Sequence, residues 1–178
     1  FVPPGAGSWL VPHMVEVTGV DDQFVDGDVS YAVAVGLSGL SVALVNVDAG
    51  DAVGFDVQLG AGSRAASIAE LATSESGEGD VFTVSLTAQP SGEVRVPLVA
   101  SPEGEVRLQP PSLLFTPLTW ATPASVVVVG VADEVADGDT QFVISFGPTT
   151  SPDPAWAGIT LRSDQVVGGT NADVGQPS

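Results

Sequence analysis

From residue 81 to residue 87 the chain alternates without a break, with Phe82, Val84 and Leu86 on one side of an extended backbone and Thr83, Ser85 and Thr87 on the other. A period of two gathers the apolar residues on one face of a strand. Val94, Val96 and Leu98 repeat the pattern. Clusters of Gly, Pro, Ser and Asp separate further short runs, which predict strands over 68–72, 113–115, 125–131, 141–146 and 159–167. In the first fifty residues the same criteria predict strands over 14–20, 29–35 and 40–47. No useful stretch carries a helical period, and faces of this kind need a second sheet to pack against. The expected fold is therefore all-β, an immunoglobulin-like Greek-key sandwich of about seven short strands.

The chain also matches itself. Shifted by 111 residues, Trp9 falls on Trp120 and Pro12 on Pro123, and Val15, Val17, Gly19 and Val20 fall on Val126, Val128, Gly130 and Val131. The same shift lays Asp22, Asp26, Gly27 and Asp28 on Asp133, Asp137, Gly138 and Asp139. Ten of the 23 positions from 9 to 31 are identical, where ordinary residue usage gives about one or two. A repeat of this period points to sandwiches in tandem. Residues 1–51 read as the C-terminal part of a preceding repeat and 52–178 as a complete one. The second copy is 14 residues longer between Asp139 and Asn171 than the first is between Asp28 and Asn46, an inserted loop that contains Trp156. Since the chain starts on Phe1 in mid-repeat, it is expected to be an internal segment of something longer.

Charge narrows the partners. There are 22 acidic residues against four arginines and no lysine, a formal net charge of -18. Nucleic acid and anionic membranes would repel such a surface. The acids alternate with apolar runs, such as the four valines at 126–129, that are expected to be buried, so a disordered acidic tail does not fit. No apolar stretch reaches the roughly 18 residues that span a bilayer. With no cysteine and one histidine, His13, the usual nucleophile–base pairs cannot be assembled, and no enzymatic role is expected. His13 reads as a solvent-facing loop residue.

Sandwich topology places the first-to-second, third-to-fourth and fifth-to-sixth connections at one end, where the seventh strand also finishes. The acids lie in those connections: Glu75, Glu78 and Asp80; Glu103 and Glu105; Asp133, Glu134, Asp137 and Asp139; and Asp173 after the last strand. Asp21, Asp22, Asp26, Asp28, Asp48 and Asp51 form the matching set in the first copy. So many like charges at one pole ask for a cation. Calcium suits them, because it takes six to eight oxygen ligands from flexible loops, whereas zinc prefers His and Cys. The candidate ligands are Glu75, Asp133, Asp137, Asp139 and Asp173, with Asp21, Asp22, Asp26, Asp28 and Asp48 in the first copy. Asp-Gly-Asp after a strand suits a plain solvated turn equally well.

The series Phe115-Thr-Pro, Trp120, Pro123, the valines leading to Asp133, Asp137-Gly-Asp139, the preceding Glu75-Ser-Gly-Glu-Gly and the following Asn171-Ala-Asp173 resembles the Calx-beta-like repeats of large surface and secreted proteins. The resemblance covers nearly all of 66–173, and again 1–48. It implies an immunoglobulin-like sandwich, extracellular or cell-surface tandem arrays, frequent calcium binding, and adhesive or matrix roles. In this chain Asp-Gly-Asp stands where calcium-sensing members carry Glu-rich sequence, and Ala132 replaces the acid that Asp21 supplies in the first copy.

Two functions fit. One is a calcium-stiffened structural or adhesive module whose partners are adjacent repeats; the other is a building block of an extracellular filament whose partners are neighbouring subunits. Trp9 and Trp120, being equivalent, read as structural. Trp156 either contacts a neighbour or folds back over its own sandwich.

Overall fold

A computed structural model describes residues 14–20, 22–36, 39–48, 50–60, 63–64, 69–132, 138–160 and 167–174. Its strands are β1 (Val29–Val35), β2 (Leu40–Asn46), β3 (Phe55–Leu59), β4 (Ser63–Arg64), β5 (Ala69–Ser74), β6 (Gly79–Leu86), β7 (Val94–Ser101), β8 (Val106–Gln109), β9 (Ser112–Phe115), β10 (Ala124–Gly130), β11 (Thr140–Phe146) and β12 (Val167–Ala172). Strands β3 to β12 make two five-stranded sheets, ordered β4-β3-β6-β10-β8 and β5-β12-β11-β7-β9. Every pairing is antiparallel except β5 with β12. Consecutive strands repeatedly cross from one sheet to the other, which is the connectivity of an immunoglobulin-like sandwich.

Alternation supplies the core. Phe82, Val84, Val126 and Val128 point inward from one sheet, and Val94, Val96, Phe142 and Ile144 from the other, all of them buried. Phe146 ties the layers together: its ring meets Phe55 edge-on at 5.1 Å and lies over Phe82 at 6.4 Å. The valines at 126–129 are not buried as a block. Val126 and Val128 are enclosed, while Val127 is 38% exposed, because β10 belongs to a sheet with one wet face. Pro110 and Pro111 mark a change of sheet, since β8 pairs with β10 and β9 with β7. Prolines cannot donate to a ladder and so interrupt the strand there.

Two predicted strands need correction. The last one is Val167–Ala172, not 159–167; residues 159 and 160 are irregular, and 161–166 lie outside the described residues. The sequence Val167-Gly-Gly-Thr170 carries no alternation that would have revealed it. Residues 14–20 form no strand, although their counterpart β10 lies between β6 and β8. The same alternation without flanking ladders does not hold an extended strand in place. Strands β3 and β8 were not predicted, although Phe55-Asp-Val-Gln-Leu59 and Val106-Arg-Leu-Gln109 both alternate.

Strands β1 and β2 form a separate two-stranded sheet. Its register opens with Val29 opposite Asn46, as β11 and β12 open with Thr140 opposite Asn171. The loop before β1 rests on the larger sandwich. The Gln89 amide donates to the Gln23 carbonyl at 2.9 Å, Phe24 bridges to Gln89, and Val25 packs against the core.

Candidate functional site

The connections that carry the acids do meet at one end of the larger sandwich. The Gly130 amide donates to the Glu78 carbonyl, at 3.3 Å, and the Val131 amide to the Glu105 carbonyl, at 2.9 Å. The Asn171 side chain donates to that same Glu105 carbonyl at 3.1 Å and accepts the Thr73 hydroxyl at 2.9 Å. The β5–β6, β7–β8 and β10–β11 connections are thereby joined to the end of β12. The buried Asn171 holds the joint; it was not among the expected site residues, because an amide in a strand carries no charge to notice.

Gly130 shows how closely the pieces approach. A Cβ there would lie 2.2 Å from the Ser74 carbonyl oxygen and 2.4 Å from Asn171 Oδ1. Gly19 has the same relation to Asn46, with a Cβ falling 2.2 Å from its Oδ1, and the Asn46 side chain donates through Nδ2 to the Val20 carbonyl at 3.1 Å.

Four of the expected ligands are arranged as two identical clamps. In the larger sandwich Asp173 accepts the Gly138 amide at 3.1 Å, while its own amide donates to Asp139 at 3.2 Å. In the first copy Asp48 accepts the Gly27 amide at 3.0 Å, and its amide donates to Asp28 at 3.1 Å. Gly27 and Gly138 both have left-handed backbones, φ 79° and 84°, which a side chain would disfavour. Each clamp ties the turn before one strand to the end of its neighbour.

The remaining candidates are less tightly drawn in. Glu75 reaches the same pole, with its carboxylate 3.5 Å from the Val174 amide. Asp80 turns back on its own strand pair and accepts the Ala72 and Val81 amides. Asp22 accepts the Phe24 amide at 3.2 Å in a local turn. Asp22, Asp26 and Asp48 surround a cavity of about 270 Å³ that Gly19 and Asn46 also line. Glu103 borders an open groove between β7 and β8. Asp21, Asp133, Glu134, Asp137 and His13 lie outside the described residues. Among the described residues, no three His, Cys, Asp or Glu side chains converge closely enough to hold a metal ion.

At the opposite end, the inserted loop folds back on its own sandwich. Trp156 is 1% exposed and meets Phe55 edge-on at 6.4 Å. Thr149 fastens the loop: its hydroxyl donates to the Trp156 carbonyl and accepts the Ile159 amide. Asp153 accepts the Ser91 amide at 2.7 Å and the Ala155 amide at 2.9 Å. Burial alone would raise the Asp153 pKa, but the hydrogen bonds from Ser91 and Ala155 outweigh it and hold the carboxyl below its ordinary value.

No family model and no curated protein matches the sequence. Among solved structures, the chain is similar to the Salmonella enterica SafA pilin in complex with the SafB chaperone, at 12% identity and a TM-score of 0.43. That match covers 70% of this chain and spans 57% of the other. The strand order itself, rather than that likeness, defines an all-β, immunoglobulin-like sandwich with an acidic pole. Among the described residues no helix is long and apolar enough to cross a membrane.

Proposed function

We propose that residues 52–178 are one repeat, and 1–51 the C-terminal part of a preceding one, in a non-catalytic Calx-beta-like array with a structural or adhesive role at the cell surface or outside the cell. The observation that supports this is the recurrence of one device at two places in the chain. The Gly27–Asp48–Asp28 clamp matches the Gly138–Asp173–Asp139 clamp bond for bond, and each sits beside a Gly–Asn contact. The first clamp stands next to the junction at Gln23 and Gln89, where stiffness would set the angle between neighbours.

Calcium is the proposed ligand of these poles. Their donors are oxygens on loops, as a hard cation of variable coordination requires, and every carboxylate oxygen retains a lone pair beyond the one given to an amide. The test is thermal unfolding of the chain in millimolar calcium against equal magnesium. Extracellular modules bind at roughly 10⁻⁴–10⁻³ M. A tenfold excess over such a constant stabilises by about 1.4 kcal/mol, or roughly 3–8 °C in Tm. Equal melting in the two metals removes calcium from the account.

A second reading, a building block of an extracellular filament that contacts neighbouring subunits, is favoured by the exposed apolar residues of β1 and β2, among them Val42 at 48%. Ordered polymers on sizing, with or without calcium, would distinguish it.

A further inference from the structure

On the β1–β2 ribbon Tyr31 pairs with Leu44 and Val33 with Val42, so the four side chains share one face. The other face carries Ser30, Ala32, Ala34, Ser41 and Ala43, with Val45 its one large apolar residue. In the larger sandwich the counterparts of Tyr31 and Val33 are Phe142 and Ile144, each 1% exposed. Tyr31 itself is 37% exposed. The contrast is sharper in the preceding segment, where Val15 and Val17 are 79% and 47% exposed while Val126 and Val128 are both at 0%. The residues are of one kind; what differs is the cover.

The covered copy shows which strands close such a face. Strand β7 runs antiparallel along β11, with Ala100 opposite Ile144. Strand β5 runs parallel along β12, with Leu71 opposite Gly169 and Thr73 opposite Asn171. Strands β6 and β8 hold β10 from both sides. We propose that the apolar face of β1–β2, with residues 14–20, is a docking surface for a half-sandwich built like residues 69–115 and carried ahead of it in the same polypeptide. A β7-like strand adds antiparallel to β1, placing its Ala100 equivalent opposite Val33. A β5-like strand adds parallel to β2, opposite Leu44 and Asn46. Strands like β6 and β8 then flank residues 14–20 and bury Val15 and Val17.

A second copy of the ribbon is the poorer cover. A ribbon of two seven-residue strands, even with Val29, Val35 and Leu40 added to those four side chains on the same face, makes a contact smaller than the roughly 800 Å² per side of a stable interface. It would also leave the backbone groups of 14–20 without a ladder, and only strands on both sides of that segment supply one.

This proposal rests on the repeat reading but not on calcium, so it is tested in calcium-free buffer. Phe1 lies eight residues before Trp9 and Phe115 five before Trp120, so with three extra residues in the first copy Phe1 corresponds to Phe115, and a copy of residues 52–114 placed ahead of Phe1 supplies the proposed half-sandwich. Two such grafts are made, one joined directly and one through a Gly-Ser linker of about six residues, so that a strained junction is not mistaken for a missing interface. Amide hydrogen exchange is then compared with that of the natural chain, using 140–146 as the internal reference. The natural chain should sediment as a monomer with fast exchange at Val15, Val17, Val33 and Val42. Grafting should slow these amides by about 100-fold or more, and Val15→Asp with Val17→Asp should abolish the gain without touching 140–146. Unchanged exchange in both grafts overturns the proposal, as does a natural monomer already protected at these positions. A protected natural dimer overturns it in favour of a second copy. The calcium titration can fail without affecting any of these outcomes.

Discussion

Replacing Trp156 with alanine tests whether the inserted loop belongs to the core or to a partner. The side chain is 1% exposed and packs edge-on against Phe55, which in turn meets Phe146 at 5.1 Å. A buried tryptophan removes some 150–250 Å² from water, and truncating a large aromatic in a core costs about 3–5 kcal/mol once the cavity is included. Against a whole-domain stability of about 5–15 kcal/mol, that loss should lower Tm by roughly 10–20 °C. Urea unfolding followed by far-UV circular dichroism measures the change without relying on the deleted fluorophore. Leu118→Ala is the control: Leu118 is 92% exposed, and its loss should stay within about 0.5 kcal/mol. A Trp156→Ala chain that loses less than about 1 kcal/mol would mean that Trp156 is not a core residue and that its surface is kept for something else.

Two further outcomes follow from single contacts. Gly130→Ala should cost about 2 kcal/mol or more in denaturant unfolding, because the Ser74 carbonyl oxygen stands 2.2 Å from the new Cβ and is itself backbone; a neutral result would mean that the β5 and β10 ends are not in contact. Asp153→Asn should lose about 1–2 kcal/mol at pH 7, where the charged carboxylate holds the Ser91 and Ala155 amides. Because the folded pKa lies below the ordinary value, this stabilisation is complete above about pH 5 and is lost as the pH falls below about 4. The difference between the two chains should therefore close in acid, and a gap independent of pH would sink the assignment.

How much of this was legible in the sequence depended on whether a residue's neighbours were local or remote. Strands β1 and β11 could be read almost to their ends, because large apolar residues at every second position, Val29, Tyr31 and Val33 in the one and Phe142, Ile144 and Phe146 in the other, are a local signal. The pole could be placed from strand order alone, since topology decides where the turns go. Residues 14–20 were misread because they carry the same alternation as β10, and alternation records only that a strand is possible beside partners. Asn171 was missed because its partner, the Glu105 carbonyl, is remote in sequence, and Thr149 because it closes an irregular loop on the nearby Trp156 carbonyl, where no periodicity marks the contact. For Trp156 both alternatives were open, and the structure chooses the inward one.

The paired clamps leave one question that substitution can answer: what the negative charge is for. Asparagine at 139 and 173 has an oxygen that accepts the same amide hydrogens, so Asp139→Asn with Asp173→Asn should preserve both bonds while removing two of the 22 acidic charges. In metal-free buffer two tendencies oppose each other. Charge-assisted bonds are the stronger ones, but Asp139 is exposed, where water weakens that advantage, and the chain is already at -18, where each charge removed relieves repulsion. The double variant should therefore melt close to the natural chain without calcium, and below it once calcium is added, through loss of calcium stabilisation at the larger sandwich. If the two chains instead gain equally from calcium, any ion lies elsewhere, and the aspartates are clamps alone.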